Sequence, residues 1–264
     1  MRGQSLPALS QSLLDGLRKR NPTNIELPTS DLLSAPETIL QIGSGSFLKG
    51  FVEDFVQLAN VAGEPVGRVI SVQRRSDHRS AASLRQDGLY TLILRGLENG
   101  QAVERKRIIA SISRPLSADT EWNEVIAMAL QPSTRVIVSN VTESGLALGA
   151  SDTPNDQPPV SFPGKLTQLL RERWQSSGGR DADIAVVPCE LVENNGSILR
   201  KLIDEQARRW NLPAAFSDWL RSSVHFANTL VDRIVVGPPP PERLGAEWQA
   251  LGYRDDLIVC AEPF

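Results

Sequence analysis

Ile39-Leu40-Gln41-Ile42-Gly43-Ser44-Gly45-Ser46-Phe47-Leu48 is the stretch on which the fold turns. A short apolar run, preceded by Pro36 and closed by Gly43, reads as a buried strand. Phe47, Leu48, Phe51, Phe55, Val56 and Leu58 then recur at spacings near three and four, which predicts a helix. Between strand and helix lies G-x-G. In such a turn the first glycine permits the tight bend and the second lets the backbone approach a pyrophosphate. The helix start offers free N–H groups and the positive end of its dipole to the same phosphates. Leu48 stands where G-x-G-x-x-G has its third glycine, so the motif alone is a weak signal. Its place at the start of an α/β pattern strengthens it, and no G-K-[ST] follows to suggest a Walker-type loop.

Outward from this turn, strands and helices alternate. Buried strands are predicted at residues 68–72, 135–139 and 183–187, and helices at 121–130, 165–176, 197–210 and 213–222. Residues 89–94 and 102–109 read as an antiparallel pair, with Gly96, Asn99 and Gly100 as turn residues. Residues 149–163, rich in Ser, Asp, Asn and Pro, form a loop, and the four prolines at 238–241 a stiff linker or edge. No internal repeat is found. The pattern predicts a Rossmann-like, doubly wound, mostly parallel sheet with an added antiparallel segment. Residues 1–37 are expected to be an N-terminal extension, with a short amphipathic helix around 13–18 that docks or frays. Residues 38–264 are expected to form the nucleotide-binding domain.

Composition excludes several classes. Of 264 residues 41% are apolar, which argues against disorder, and the net charge of -3 gives no basic face for nucleic acid. Two cysteines, Cys189 and Cys260, make no disulfide framework and fit a reducing compartment. The first twenty residues lack a signal-peptide core, and no run approaches the roughly 20 apolar residues that span a bilayer. The expectation is a cytoplasmic protein without membrane partners.

A dinucleotide fold usually presents an acid to the ribose near the end of its second strand. Here Asp77 is the candidate, while Arg74 and Arg75 suit a 2′-phosphate instead, so the residues leave NAD and NADP open. His78 reads as a solvated loop residue, His225 as a packing residue, and Cys189 as a buried thiol without a paired histidine.

Five separated motifs in order carry a resemblance. They are ILQIGSGSFLKGFVEDFV (39–56), QDGLYTLILRGLENG (86–100), VIVSNVTESGL (136–146), VVPCELVENNG (186–196) and FANTLVDRIVVG (226–237). Together they resemble the polyol-specific long-chain dehydrogenases, the mannitol dehydrogenase family, from residue 39 to the last. Mannitol-type members carry Asp-Asn after the cysteine of the fourth motif. Glu190 and Leu191 stand there instead and point to the branch acting on uronates.

The resemblance implies reversible hydride transfer between NAD and a sugar acid, D-tagaturonate being reduced to D-altronate, with no metal. It implies that Ile42, Gly43, Ser44, Gly45, Ser46, Phe47, Lys49, Asp77, Asn140 and Thr142 meet the cofactor. It places Glu143 and Asp232 near the substrate. A structural Asp232–Arg233 pair weighs about equally with a substrate role for Asp232, and Asn195 reads otherwise as a helix cap. Lys49 replaces an arginine frequent in the family's glycine turn and is expected to face phosphate or solvent.

In that family a helical C-terminal domain supplies a lysine acid/base, an asparagine and a histidine in K-x4-N-x2-H. This sequence contains no such motif, so no catalytic residue is expected in it and the chain is expected to be the family's N-terminal domain alone. The alternatives are a non-catalytic NAD-binding module or a fructuronate- or mannitol-type relative. The face that would meet the missing domain is expected to be apolar and able to self-associate.

Overall fold

The computed structural model describes residues 6–20, 22–74, 78–180 and 183–264. Ten helices and ten strands follow one another among them. Helices α1 (Gln11–Arg20) and α2 (Ser30–Ser34) lead into strand β1 (Glu37–Ile42). The helix predicted after the glycine turn forms as α3 (Ser46–Leu48), a π turn (Lys49–Glu53) and α4 (Asp54–Val61). Then come β2 (Arg68–Gln73), α5 (His78–Arg85), β3 (Tyr90–Glu98), β4 (Gln101–Ile109), β5 (Ile112–Ser117), α6 (Trp122–Leu130) and β6 (Val136–Ser139). The chain continues through α7 (Phe162–Ser177), β7 (Ile184–Pro188), α8 (Asn195–Arg209), α9 (Ala214–Ser223), β8 (Val224–Phe226), β9 (Val235–Gly237), α10 (Pro241–Leu251) and β10 (Val259–Ala261).

Six strands make one parallel sheet in the order β5-β2-β1-β6-β7-β8. This is the strand order of a doubly wound dinucleotide fold, which reverses direction between β1 and β6. Every residue of β2 is buried, as sheets covered on both faces require. The main core packs Leu40, Ile70, Ile137 and Val186 of the sheet against Val125, Leu166, Leu199 and Phe216 of the helices. The predicted antiparallel pair forms in register from Tyr90↔Ile109 to Glu98↔Gln101. It belongs to a separate four-stranded sheet, β4-β3-β10-β9, rather than to the large one.

The N-terminal helix is docked and not frayed. Leu9, Leu14 and Leu17 join Leu89, Ile93, Ile108, Tyr253 and Ile258 in a second core over the small sheet. Leu9 N–H donates to the Arg254 carbonyl at 2.8 Å, which fixes the segment to the end of the chain. The proline run is neither linker nor edge at its end, because Pro241 opens α10, where a missing N–H is tolerated. His225 faces solvent on the edge strand β8, so the packing reading is overturned.

Candidate nucleotide cleft and substrate face

At the carboxyl ends of β1, β2 and β6 the backbone strands hand over to loops that are stitched together. Gly43 N–H donates to the Val72 carbonyl (2.8 Å), Asn140 N–H to the Ile42 carbonyl (3.2 Å), and Cys189 N–H to the Ser139 carbonyl (2.7 Å). Gly43 sits at φ 115°, in the region that favours glycine, and a Cβ there would lie 3.1 Å from the Asn140 carbonyl oxygen. Glycine therefore suits both the bend and the close approach of the Asn140 carbonyl.

The mouth leads into a cavity of about 700 Å³ lined by Ile42, Gly43 and Ser44 from the turn, and by Asn140, Val141 and Thr142 from the β6 loop. That volume falls within the range of small-molecule and cofactor sites. Its far end is bounded by Arg74 after β2, Trp122 of α6, and Phe162 and Lys165 of α7. Sequence reasoning had not placed Trp122, Phe162 or Lys165 there. Two helices and a loop distant in sequence converge, and the local signal was only the Ser161 cap, whose hydroxyl accepts from Gly164 N–H.

The remaining predicted residues divide. Gly45 caps the start of α3, and the Phe47 ring stacks on Phe51 with centroids 5.1 Å apart. Ser46 and Lys49 line a smaller cavity of about 50 Å³ behind the turn. The Lys49 ammonium is buried and lies 4.6 Å above the Tyr90 ring. Thr142 is exposed, its hydroxyl 2.9 Å from that of Ser144. Asp77 and the Glu143 side chain lie outside the described residues. Asp232 is exposed in the segment between β8 and β9. Arg233 is buried and pairs with Asp54, Nη1 to Oδ2 at 2.9 Å, so no Asp232–Arg233 pair forms.

The PCEL segment builds the wall behind the β6 loop. Glu190 is buried, and its Oε1 accepts from the Ser139 hydroxyl (2.8 Å) and Val141 N–H (3.0 Å). Burial raises its carboxyl pKa, against the pull of those two donors. Asn140 Nδ2 donates to the Cys189 carbonyl at 2.6 Å. Burial pushes the Cys189 thiol up to about 12, with the Glu190 carboxyl adding to the shift. We therefore expect iodoacetamide at pH 8 to leave Cys189 unmodified in the folded chain and to label it on denaturation. Rapid labelling of the folded protein, read by peptide mass, would contradict the burial. Asn195 is the first residue of α8 and not its cap, which is Asn194; fully buried, Asn195 ties the PCEL turn to Thr229.

Leu191, Leu230, Ile234, Val236 and Phe264 are among the exposed large apolar residues. Phe47, Phe51, Phe55 and Phe264 form one chain of ring contacts at 4.8–6.3 Å. No helix among the described residues is long and apolar enough to cross a membrane, and no metal-binding cluster of His, Cys, Asp or Glu occurs among them.

Comparison with known proteins places this geometry. The Rossmann domain model of mannitol dehydrogenase matches residues 37–264. Altronate oxidoreductases of Halalkalibacterium halodurans and Cronobacter sakazakii are 39% and 42% identical over 231 residues, or 87% of this chain. The chain spans only 45% and 48% of those two relatives, about half their length. The Pseudomonas fluorescens mannitol 2-dehydrogenase, solved as a ternary complex with NAD and D-mannitol, superposes with a TM-score of 0.82 at 25% identity, covering 97% of this chain and 53% of that one. A substrate-free D-sorbitol dehydrogenase shares the fold with a TM-score of 0.81 at 23% identity, over 97% and 54%. The chain belongs to the mannitol dehydrogenase family, with residues 37–264 forming its Rossmann domain.

Proposed function

We propose that the chain is the cofactor-binding part of an NAD-dependent dehydrogenase that interconverts D-tagaturonate and D-altronate. The observation that carries this reading is the cavity at the reversal point of the sheet, lined by a glycine turn whose Gly43 packs tightly on the Asn140 carbonyl. The altronate oxidoreductases at 39–42% identity support the substrate class. Bound NAD supplies a hydride acceptor at its nicotinamide ring.

The chain's own residues bind and orient. Ile42, Gly43 and Ser44 shape the pyrophosphate passage, and Gly45, Ser46 and Phe47 present the N–H groups of the helix start. Lys49 adds positive charge behind that turn. Asn140, held by the Cys189 carbonyl, and Thr142 face the nicotinamide ribose. Glu143 and Asp232 serve the substrate side. Ketone reduction also needs a proton donor at the developing alkoxide. We assign that role to a K-x4-N-x2-H segment that these 264 residues do not contain. The exposed apolar face with its aromatic chain seats the domain bearing that segment, or a second copy of this one.

Titration of the chain with NADH, followed by addition of tagaturonate, tests the reading. We expect saturable binding and no tagaturonate-dependent NADH oxidation. Absence of binding would refute the cofactor site. Turnover would show that a residue of this chain, such as Lys49, carries the proton, and would overturn the division of labour.

A further inference from the structure

The cavity of about 50 Å³ behind the glycine turn has walls from three places: Ser44, Ser46 and Lys49 of the turn, Ser71 of β2 with Ser83 of α5, and Asp256 of the loop before β10. Ser44 and Gln73 border both this cavity and the nucleotide cavity, but the β6 loop, α6 and α7 line only the larger one. Lys49 is 8% exposed, and its ammonium makes no hydrogen bond or ion pair among the described residues. Three strong donors and a full charge are therefore held in a nearly closed space with nothing to accept them.

Tyr90 keeps the side chain there. The Lys49 carbonyl, at the first residue of the π turn, accepts from the buried Tyr90 hydroxyl at 2.7 Å. The ammonium lies 4.6 Å above the ring of the same tyrosine. The acids nearby are engaged elsewhere. Glu53, at the end of the π turn, accepts from the Gln41 amide at 2.8 Å, and Asp54 holds Arg107 and Arg233. Asp256, the acid lining the cavity, holds Arg254 at 2.8 and 3.2 Å and Arg85 at 3.7 Å, so two guanidinium groups answer its charge. The hydroxyls of Ser44, Ser46 and Ser83 have no hydrogen-bond partner among the described residues. A hydroxyl donates as readily as it accepts, so these walls suit a negative guest.

We propose that Lys49 and the serine hydroxyls beside it bind a small monovalent inorganic anion, of the size of chloride, in this cavity. A space of about 50 Å³ holds a few waters or one such ion. Water would accept from the ammonium and leave its charge uncompensated, whereas an anion does both. The inference does not depend on the cofactor reading, and its test involves no dinucleotide.

The test is thermal unfolding of the 264-residue chain as chloride replaces isethionate, an anion too bulky for the cavity, at constant ionic strength. The same series is run on Lys49→Met, which keeps the length of the side chain and removes its charge and donors. The wild-type melting temperature should rise saturably by about 3 °C on going to about 0.2 M chloride, and that of the variant by less than about 1 °C. A wild-type chain indifferent to the exchange, or a variant that responds as strongly as wild type, would overturn the site. Crystals of the wild-type chain grown in bromide give a readout that needs no variant. An anomalous peak within about 3.5 Å of Lys49 Nζ is expected, and a cavity filled by water only would overturn the proposal.

Discussion

Replacing Asp54 by alanine should destabilise the chain by about 3–5 kcal/mol, the range for removing one partner of a buried ion pair. Asp54 is buried on the helix that follows the glycine turn. Its Oδ2 receives Arg233 Nη1 at 2.9 Å, and its Oδ1 receives Arg107 Nη1. Arg233 also donates to the carbonyls of Gly50 (2.7 Å) and Glu262 (3.0 Å), and Arg107 to Glu26 at 2.7 Å. One carboxylate thus joins the dinucleotide helix to the VDR segment, the end of the chain, strand β4 and the N-terminal extension.

Without that carboxylate two guanidinium groups lose their shared counter-charge, and Arg233, with its side chain 1% exposed, cannot turn to water. At roughly 2–4 °C per kcal/mol for a chain of this size, the melting temperature should fall by about 10 °C. The double substitution Asp54→Ala with Arg233→Met should recover part of the loss, because it removes the stranded charge along with its partner. Thermal or urea unfolding reads both variants. A single-variant loss below about 1 kcal/mol would mean that the arginines find other partners and that the cluster does not hold these elements together.

The dinucleotide half of this architecture was legible because its signals are local. An apolar run, a glycine turn and a period near 3.6 lie within twenty residues, and β1, the turn and the helix form where they fall. What was not legible has specific causes. Strand β5 contains Pro115, which argues against a strand, yet β5 is the edge of the large sheet, where a proline needs no ladder partner on one side. Strands β8, β9 and β10 have three residues each, too few to show a period of two. Helix α10 was hidden behind its own opening proline.

The site divides in the same way. Gly43, Ser44 and Asn140 follow predicted strands and line the cavity. Trp122 and Lys165 reach it only because α6 and α7 pack against each other over the sheet. Asp54 and Arg233 are 179 positions apart, and nothing in either's neighbourhood announces the other.

Asn195→Ala is expected to cost about 3 kcal/mol, because it would leave several buried backbone groups unpaired at once. Asn195 is fully buried at the start of α8. Its Nδ2 donates toward the carbonyls of Pro188 (3.2 Å), Glu190 (3.1 Å) and Thr229 (3.3 Å) and the Thr229 hydroxyl (2.9 Å). Its Oδ1 accepts from Gly196 N–H (2.8 Å) and Thr229 N–H (3.0 Å). This one amide ties the PCEL turn to the segment carrying Asp232. Gly196, next to it, is pressed so closely on the Ala227 carbonyl that a Cβ would overlap it.

The isosteric Asn195→Asp separates packing from hydrogen bonding. The new carboxylate keeps the acceptor and turns its other oxygen toward carbonyl and hydroxyl oxygens, so its pKa in the folded chain should rise above the unfolded value. A raised acid pKa means that stability is present at low pH and lost as pH rises through the folded pKa. The aspartate variant should therefore fall well below wild type at pH 7 and recover toward it at pH 5, where a protonated carboxyl donates to one carbonyl again. The alanine variant should show no such recovery. Melting curves at the two pH values decide the point: an aspartate variant equally stable relative to wild type at both would mean that the amide donates to none of those oxygens. If the clamp also sets the site, NADH affinity should weaken in the alanine variant through the Cys189 carbonyl that holds Asn140, even well below its melting temperature.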